Sequence, residues 1–223
     1  MADEQQELVT EESPFSYNCG QCNRCCHGKR IPVNPYETAR LGRRLALSTT
    51  DVLDRFVDDS RSFLRTTEAG ACVFLGPSGC TVHADRPLAC RLYPLGRIVD
   101  ADGGVRFVTV QPHPQTDGKY GTSGTVGDYL AGQDIEAFVD AADRYYEVLL
   151  RLVNYIGSED AMEEAPPSEP DESVDRIFVD MDFAAAKTAG NQVMAASIED
   201  RLEMHLQAIH EWLDSVDAGD SGV

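Results

Sequence analysis

The stretch Cys19-Gly-Gln-Cys22-Asn-Arg-Cys25-Cys26 places four cysteines within eight residues. Three more cysteines follow at Cys72, Cys80 and Cys90, which brings the total to seven. Seven thiols cannot all pair within one chain, and clustered cysteines in a reducing compartment are typical of metal sites rather than disulfides. The pattern therefore predicts a metal centre whose candidate ligands are all seven cysteines.

The spacing inside this stretch predicts how the ligands are arranged. A Cys-x2-Cys loop lets two thiolates converge on one metal while backbone N–H groups point at the sulfurs, so Cys19, Cys22 and Cys25 form a candidate tripod. Any remote ligand would come from the three later cysteines. Cys26 directly follows Cys25, and adjacent side chains tend to diverge. Either a polynuclear site therefore uses both thiols, or one of them is spare.

Counting ligands leaves the identity of the metal open. Two tetrahedral zinc ions take eight metal–sulfur bonds, which seven thiolates supply if one of them bridges, whereas one four-iron cluster takes four cysteines. The bacterial ferredoxin run C-x2-C-x2-C-x3-C requires a cysteine where Lys29 stands. His27 and His83 lie beside cysteines and could be further ligands, but a hydrogen-bond donor to a ligand or an ordinary surface histidine is the commoner role at such positions.

Several motifs taken together resemble one known family, the YkgJ-like CxxCxxCC cysteine-cluster proteins. The matching motifs are Cys19-x2-Cys22-x2-Cys25-Cys26, Cys72-Val-Phe-Leu, Cys80-Thr-Val-His and Arg86-Pro87-x2-Cys90-Arg-Leu-Tyr-Pro. The resemblance covers roughly residues 17–110 and implies chelation of zinc or iron, and many members are labelled Fe–S oxidoreductases by inference. Flagellin lysine methylases look similar in their cysteine cluster, which implies that such a module also occurs inside enzymes.

Charge is distributed unevenly along the chain. The net charge is −19, but residues 1–100 hold 12 Lys and Arg against 13 Asp and Glu, so nearly all of the excess falls in residues 101–223. Such acidity disfavours general binding to nucleic acid or to an anionic membrane. Five cations stand close to the cysteines in sequence and are candidates to offset thiolate charge: Arg24, Lys29, Arg30, Arg86 and Arg91.

These features predict an α+β fold, with a small irregular metal-stapled N-terminal module that has short strands and a hairpin, followed by a helical C-terminal region. Composition and periodicity divide the chain into five segments. They are a flexible acidic arm at 1–16, the cysteine-cluster module at 17–130, a long helix packing on it at 131–156, an acidic disordered linker at 157–174 and a C-terminal helical segment at 175–223.

Local signals predict the individual elements. Helices are expected at about 34–47, 50–57, 134–156 and 197–216, the first of them from the capping box of Asn34 and Glu37. Extended segments are expected at 72–75, 97–99 and 105–110, the last two as a hairpin around Asp102-Gly103, and Arg86-Pro87 opens a helical turn that carries Cys90. Leu149 is assigned to the apolar stripe of its helix. His205 and His210 are assigned to the surface because they are five residues apart.

The pattern as a whole indicates a metal-chelating protein of the cytoplasm, since residues 1–13 lack the basic and apolar regions of a signal peptide. An iron–sulfur cluster of the four-iron type is slightly favoured over zinc, because three close cysteines plus a remote one resemble cluster ligation. It would transfer electrons to an unidentified protein partner. Two alternatives stay open: a colourless zinc module that docks a partner, and a redox or methyltransferase-like group-transfer enzyme that uses the cluster.

Overall fold

A computed structural model describes residues 8–100, 102–156, 172–189 and 196–219. Its strands are β1 (Leu8–Val9), β2 (Pro14–Asn18), β3 (Leu75–Gly76), β4 (Gly79–Cys80), β5 (Leu95–Val99), β6 (Val105–Thr109) and β7 (Lys119–Thr125). Its helices are α1 (Pro35–Leu45), α2 (Thr49–Phe56), α3 (Leu88–Leu92), α4 (Val126–Ala131), α5 (Glu136–Ile156), α6 (Glu172–Val179), α7 (Met181–Ala189) and α8 (Ile198–Gly219). The predicted mixed α+β class is therefore confirmed.

The chain divides into two compact units that do not follow one another in sequence. Unit 1 consists of Met1–Pro32 and Phe63–Ala137, and unit 2 consists of Val33–Ser62 and Phe138–Val223. Helices α1 and α2 belong to unit 2 because they pack against α7 and α8. The division thus differs from the sequence-based boundaries, which kept these two helices with the cysteines.

Unit 1 is built from three small antiparallel sheets. Strands β1, β6 and β5 form one sheet in that order, β2 pairs with β7, and β3 pairs with β4. The predicted hairpin is confirmed, since β5 and β6 pair from Leu95–Thr109 to Val99–Val105. Gly103 closes the turn with φ 82°, a left-handed conformation that favours glycine.

The N-terminal segment takes part in this unit, so the prediction of a flexible arm is wrong for residues 8–16. Leu8 and Val9 pair with β6, and Phe15 in β2 is buried. The few apolar residues among the acidic ones are what the arm prediction overlooked. Phe15 packs in a core with Leu92, Leu95, Phe107, Val126 and Leu130. Residues 1–7 lie outside the described ranges.

The segments that carry cysteines are mostly turns. Arg24–Cys26 is a short 3-10 turn, and α3, which follows Pro87 as predicted, carries Cys90. The strand predicted at residues 72–75 is wrong except for Leu75, which starts a tight hairpin with β4. The backbone N–H of Cys72 instead donates to the carbonyl oxygen of Cys26 at 2.8 Å, so this segment turns around the cysteine loop.

Unit 2 is helical and has a continuous apolar core. The capping box of Asn34 and Glu37 starts α1 as predicted, and Ser48 caps α2. The stripe predicted for the last helix is confirmed, because five of its residues are buried along α8: Ile198, Leu202, Leu206, Ile209 and Leu213. Among the described residues, no helix is long and apolar enough to cross a membrane.

Helix α5 confirms the predicted long helix, but its buried face differs from the prediction. Phe138, Ala141 and Val148 are buried, whereas Leu149 is 51% exposed and lies off this face. So many apolar residues occur along α5 that periodicity alone did not identify the buried stripe. Of the predicted linker, residues 157–171 lie outside the described ranges, and residues 172–174 begin α6.

A buried polar network joins the helices of unit 2. Thr49 and Thr50 each donate a hydroxyl hydrogen bond to the Asp180 carboxylate at 2.6 Å, and Arg201 pairs with Asp182. His205 is fully buried, so its assignment to the surface is wrong. Its Nδ1 lies 2.7 Å from the Tyr145 hydroxyl and its Nε2 lies 2.7 Å from the Ile177 carbonyl oxygen. The spacing to His210 carried no information about which face of α8 packs inward.

Candidate metal centre

All seven cysteines lie in unit 1. Cys19 and Cys22 come from the loop between β2 and the 3-10 turn, Cys25 and Cys26 come from the turn itself, and the other three come from the 72–80 turn region and from α3. Cys19 is exposed, Cys72 is buried, and the remaining five are partly buried. Segments far apart in sequence therefore bring their thiols into one compact unit.

The cysteine loop holds an unusual backbone. Gln21 and Asn23, two of the four residues between the first three cysteines, have φ values of 52° and 60°, in the left-handed region. Non-glycine residues in that region cost conformational energy, and such residues cluster at binding sites. The turn brings the N–H of Gln21 to 3.4 Å from the sulfur of Cys19, a contact of the kind that supports metal-bound thiolates.

Cys25 and Cys26 approach each other, contrary to the expectation that adjacent side chains diverge. Their side chains share a hydrogen bond, which is the largest influence lowering the pKa of Cys25 to about 6, and the same bond raises the pKa of Cys26. Both residues lie in the 3-10 turn Arg24–Cys26. A thiol with a lowered pKa is more often a thiolate, which is the form that binds metal.

Two remote cysteines, Cys72 and Cys80, are near enough to this pair for their charges to act on it. Burial raises the pKa values of Cys72 and Cys80, and negative charge on Cys25 raises both of them further. The pKa of Cys26 is raised first by its hydrogen bond with Cys25 and then by burial, with smaller effects of charge on Cys72 and Cys80. These mutual effects define a group of four, here called the inner cysteines: Cys25, Cys26, Cys72 and Cys80.

Cys22 is held by a loop that sequence reasoning missed. The N–H of Asp117 donates to the sulfur of Cys22 at 3.4 Å, which is the main reason that the pKa of this thiol is lowered, and the Thr116 hydroxyl lies 3.8 Å from the sulfur. The same loop lies so close to Gly20 that a Cβ there would be 2.6 Å from the Cβ of Asp117. Apart from the glycine itself, the sequence holds no signal for this approach across more than ninety residues.

Four tyrosines form a cluster near the cysteines, here called the tyrosine cluster: Tyr17, Tyr93, Tyr120 and Tyr129. The rings of Tyr17 and Tyr93 are 6.0 Å apart, those of Tyr17 and Tyr120 are 5.0 Å apart, and the Tyr129 hydroxyl donates to the Tyr93 carbonyl at 2.6 Å. Burial raises the pKa values of Tyr17 and Tyr129, and negative charge on Cys19 and Cys25 raises them further.

Four of the five cations near the cysteines in sequence differ in their contacts. Arg91 is buried and donates to backbone carbonyls, among them that of Gln133 at 3.0 Å. Arg86 donates to the His83 carbonyl at 2.9 Å, and Arg30 stacks on the Phe63 ring at 3.7 Å. The Lys29 ammonium is buried, lies 3.9 Å from the centre of the Tyr93 ring, and has no hydrogen-bond partner among the described residues.

The two histidines beside the cysteines differ in position. His27 lies close enough to Cys25 that its charge lowers the pKa of that thiol, and its Nδ1 is 3.3 Å from the Asn23 carbonyl oxygen. His83 is exposed in a 3-10 turn, and its pKa is lowered first by partial burial and then by Arg86 and Arg91. A third histidine, His113, lies in a loop, where its Nδ1 accepts from the N–H of Gln115.

The donor set suits a thiophilic metal, although the ligands are not fully assembled. Within the described ranges, no three His, Cys, Asp or Glu side chains are placed so that they hold an ion without rearrangement. Soft thiolates select zinc, copper(I) or iron–sulfur clusters over hard cations. The unpaired Lys29 ammonium fits an anionic thiolate–metal group, which would supply the partner that it lacks.

Comparison with known proteins agrees with this donor set. Residues 18–111, which contain all seven cysteines, match the family model described as "CxxCxxCC: Putative zinc- or iron-chelating domain". No curated protein and no solved structure matches the chain. The similarity to this family of zinc- or iron-chelating domains therefore covers residues 18–111, the part of the chain that carries the cysteines.

Proposed function

We propose that the chain binds a polynuclear metal centre through its cysteines, and that this centre is a four-iron iron–sulfur cluster. The cluster would transfer electrons to a protein partner. The approach of Cys25 to Cys26 carries the proposal. Two adjacent thiols on one mononuclear ion would strain the loop, whereas two metal atoms a few ångströms apart suit them. Cys72 and Cys80 lie beside the pair and complete a set of four, the number that one cluster takes.

The chain's own residues supply what such a centre needs. Thiols provide the ligands, the N–H groups of Gln21 and Asp117 support the sulfurs of Cys19 and Cys22, and Lys29 offsets negative charge nearby. Hydrogen bonds to sulfur, local charge and solvent exposure are the factors by which proteins set the reduction potential of a bound cluster. When bound, the iron–sulfur cluster would supply one-electron chemistry. The neighbouring tyrosines, Tyr17, Tyr93, Tyr120 and Tyr129, would limit the access of water to it.

A two-zinc centre is the second candidate, because seven free thiols in one unit exceed the needs of one four-iron cluster. One bridging thiolate among the seven would complete two tetrahedral sites. Such a centre is colourless and redox-silent, and it would make the domain a structural module that docks a partner. An enzymatic role would require a substrate site close to the cysteines, and a spare thiol would then be the reactive group.

Metal analysis of the full chain, purified without oxygen, tests the proposal directly. We expect iron and acid-labile sulfide in comparable amounts, and a broad visible absorption that dithionite bleaches. About two zinc ions per chain and no colour would support the structural module instead. Protein that contains neither metal, and takes up neither on reconstitution, would show that the proposal is wrong.

Serine variants of single cysteines test the ligand set. Cys25→Ser should lose most of the bound metal, because Cys25 is the thiol whose charge acts on Cys72 and Cys80. Cys26→Ser should lose a similar amount if the centre is polynuclear. Full retention of metal by Cys26→Ser would identify Cys26 as a spare thiol and exclude the polynuclear arrangement. Cys19→Ser, at the exposed end of the loop, should have the mildest effect.

A further inference from the structure

Lys29 is the one residue near the cysteines whose charge has no evident partner in the described part of unit 1. Its Nζ atom is buried and makes no hydrogen bond there, although an ammonium has three N–H groups to donate. The Tyr93 ring, 3.9 Å away, supplies only a cation–π contact. Burying an ammonium without acceptors is energetically unfavourable, so natural proteins rarely leave one in this state.

The backbone positions Lys29 for this role. Gly28 has φ 63°, and its N–H donates to the Gly70 carbonyl at 2.9 Å, so the chain turns immediately after the cysteine loop. The next residue then points its side chain inward across Tyr93. Negative charge on Cys25 and on Cys90, which are 65 residues apart in sequence, acts on the same ammonium. Lys29 is thus near one thiol of the loop and one thiol of α3.

Three other cations near the cysteines already have contacts elsewhere and are less suited to pair with the thiols. The Arg91 guanidinium is occupied by carbonyl oxygens, among them those of Arg86 and Gln133. Arg86 is bound to the carbonyl of His83, and Arg30 lies over an aromatic ring on the side of Phe63. Of these positive groups, only Lys29 combines a buried charge with nearby thiols.

We propose that the Lys29 ammonium donates hydrogen bonds to the thiolate–metal centre between Cys25 and Cys90, and that it thereby sets the metal affinity of the domain. Lys29 is a positioning residue and not a ligand, since a protonated amine has no lone pair to donate. The inference rests on the proposed function. It treats Cys90 as a neighbour of the ammonium and not as a fifth ligand beside Cys25, Cys26, Cys72 and Cys80.

Three variants of the full chain test this inference. Lys29→Met keeps the apolar stem over Tyr93 and removes the charge, Lys29→Arg keeps the charge, and Arg30→Gln removes a neighbouring charge that faces elsewhere. The probe is Zn2+, whose dissociation constant is measured by competition with a chromophoric chelator. Titration with Co2+ checks the stoichiometry through thiolate-to-cobalt absorption.

We expect Lys29→Met to bind Zn2+ about 10–100-fold more weakly, the usual effect of removing a group that hydrogen-bonds to a metal ligand. Lys29→Arg should recover most of the affinity, and Arg30→Gln should stay within about threefold of the wild type. Wild-type affinity in Lys29→Met would overturn the inference. Equal loss in Lys29→Met and Lys29→Arg would also overturn it, because packing rather than charge would then be responsible. Failure of the wild type to bind metal would instead refute the proposed function.

Discussion

Units 1 and 2 differ in how completely their buried polar groups are hydrogen-bonded. In unit 2 the buried Asp180 accepts hydrogen bonds from Thr49, Thr50 and Phe183, and the buried His205 has a partner on each ring nitrogen. In unit 1 a cluster of thiols lies beside the buried Lys29 ammonium, which has no hydrogen-bond partner among the described residues. The pairing in unit 2 is not complete, since the buried Nε of Arg201 has no hydrogen-bond partner among the described residues, but a second nitrogen of the same guanidinium pairs with Asp182. The Lys29 ammonium has no such acceptor within the described ranges, which points to a missing partner.

The apolar core is also less extensive in unit 1 than in unit 2. Unit 1 has a compact core around Phe15 and Phe107 and short strands of two to seven residues. Unit 2 buries a stripe along the whole of α8 and further residues on α1, α2 and α5. We therefore expect unit 1 to depend on its metal and unit 2 to fold without it. The predictions below test this comparison, from the largest expected effect to the smallest.

Removing the metal should affect unit 1 alone. Structural zinc contributes about 10–16 kcal/mol in small zinc-dependent peptides, so chelation should remove most of the stability of a metal-stapled unit. Hydrogen exchange should show loss of amide protection at residues 8–32 and 63–137 and retained protection at residues 33–62, although these lie between the two segments in sequence. Equal loss of protection in both units, or in neither, would contradict the comparison.

Truncating a buried side chain of unit 2 should destabilise that unit and leave metal binding by unit 1 unchanged. Leu213 is fully buried in α8, so Leu213→Ala should lower the free energy of unfolding of unit 2 by about 2–5 kcal/mol while the metal content stays unchanged. Urea unfolding followed by the fluorescence of Trp212, the only tryptophan, measures this change. Leu149→Ala makes the same chemical change at a site that is 51% exposed, and it should cost no more than about 0.5 kcal/mol.

Acid should weaken unit 2 through His205. Burial lowers the pKa of His205 to about 4, below the value of about 6.5 in an unfolded chain. The unfolded state therefore takes up a proton that the folded state refuses, and stability falls as the pH drops from about 6.5 towards 4. Between pH 6.5 and 5 the loss should reach about 2 kcal/mol.

The variant His205→Gln isolates this contribution. Its unfolding free energy should change less between pH 6.5 and 5 than that of the wild type, even if the variant is less stable overall. His210→Gln, at an exposed position on the same helix, should keep the wild-type pH dependence. An unchanged pH profile in His205→Gln would show that other groups cause the acid sensitivity.

A surface ion pair of unit 2 should matter least. Both guanidinium nitrogens of Arg144 contact the Glu203 carboxylate, at 2.6 and 2.7 Å, but the Glu203 side chain is 65% exposed. Exposed pairs contribute about 0–1 kcal/mol, and salt screens them. Glu203→Gln should therefore lower the unfolding free energy by less than about 1 kcal/mol, and by still less at high salt. A loss above 2 kcal/mol would mean that unit 2 relies on charge pairing as well as on its apolar core.

Elements with strong local signals were predictable from the sequence. The capping box of Asn34 and Glu37, the Asp102-Gly103 turn and the stripe along α8 all depend on residues within one or two turns of the chain. The interpretation as a zinc- or iron-chelating domain was equally accessible, because clustered thiols limit the chemistry to soft metals. The ligand set itself stays a prediction.

Other features could not be predicted from the sequence, because they depend on contacts with residues far away in the chain. The strands of residues 8–16 form only because β6 and β7 are available to pair with them. The burial of His205 and the exposure of Leu149 depend on which face of a helix meets its neighbours, and both helices have apolar residues on more than one face. Periodicity identifies a helix more reliably than it identifies the packed side.

The sequence by itself determined the type of chemistry and the local elements, since thiol identity, capping residues and turn residues act over short distances. Only the tertiary structure decided that Cys25 and Cys26 meet, that Cys72 and Cys80 lie beside them, and that Lys29 alone among five nearby cations is buried without a hydrogen-bond partner within the described ranges. The reason is physical: the charge and solvation of a side chain depend on what surrounds it in space, and its neighbours in sequence are only a small part of those surroundings.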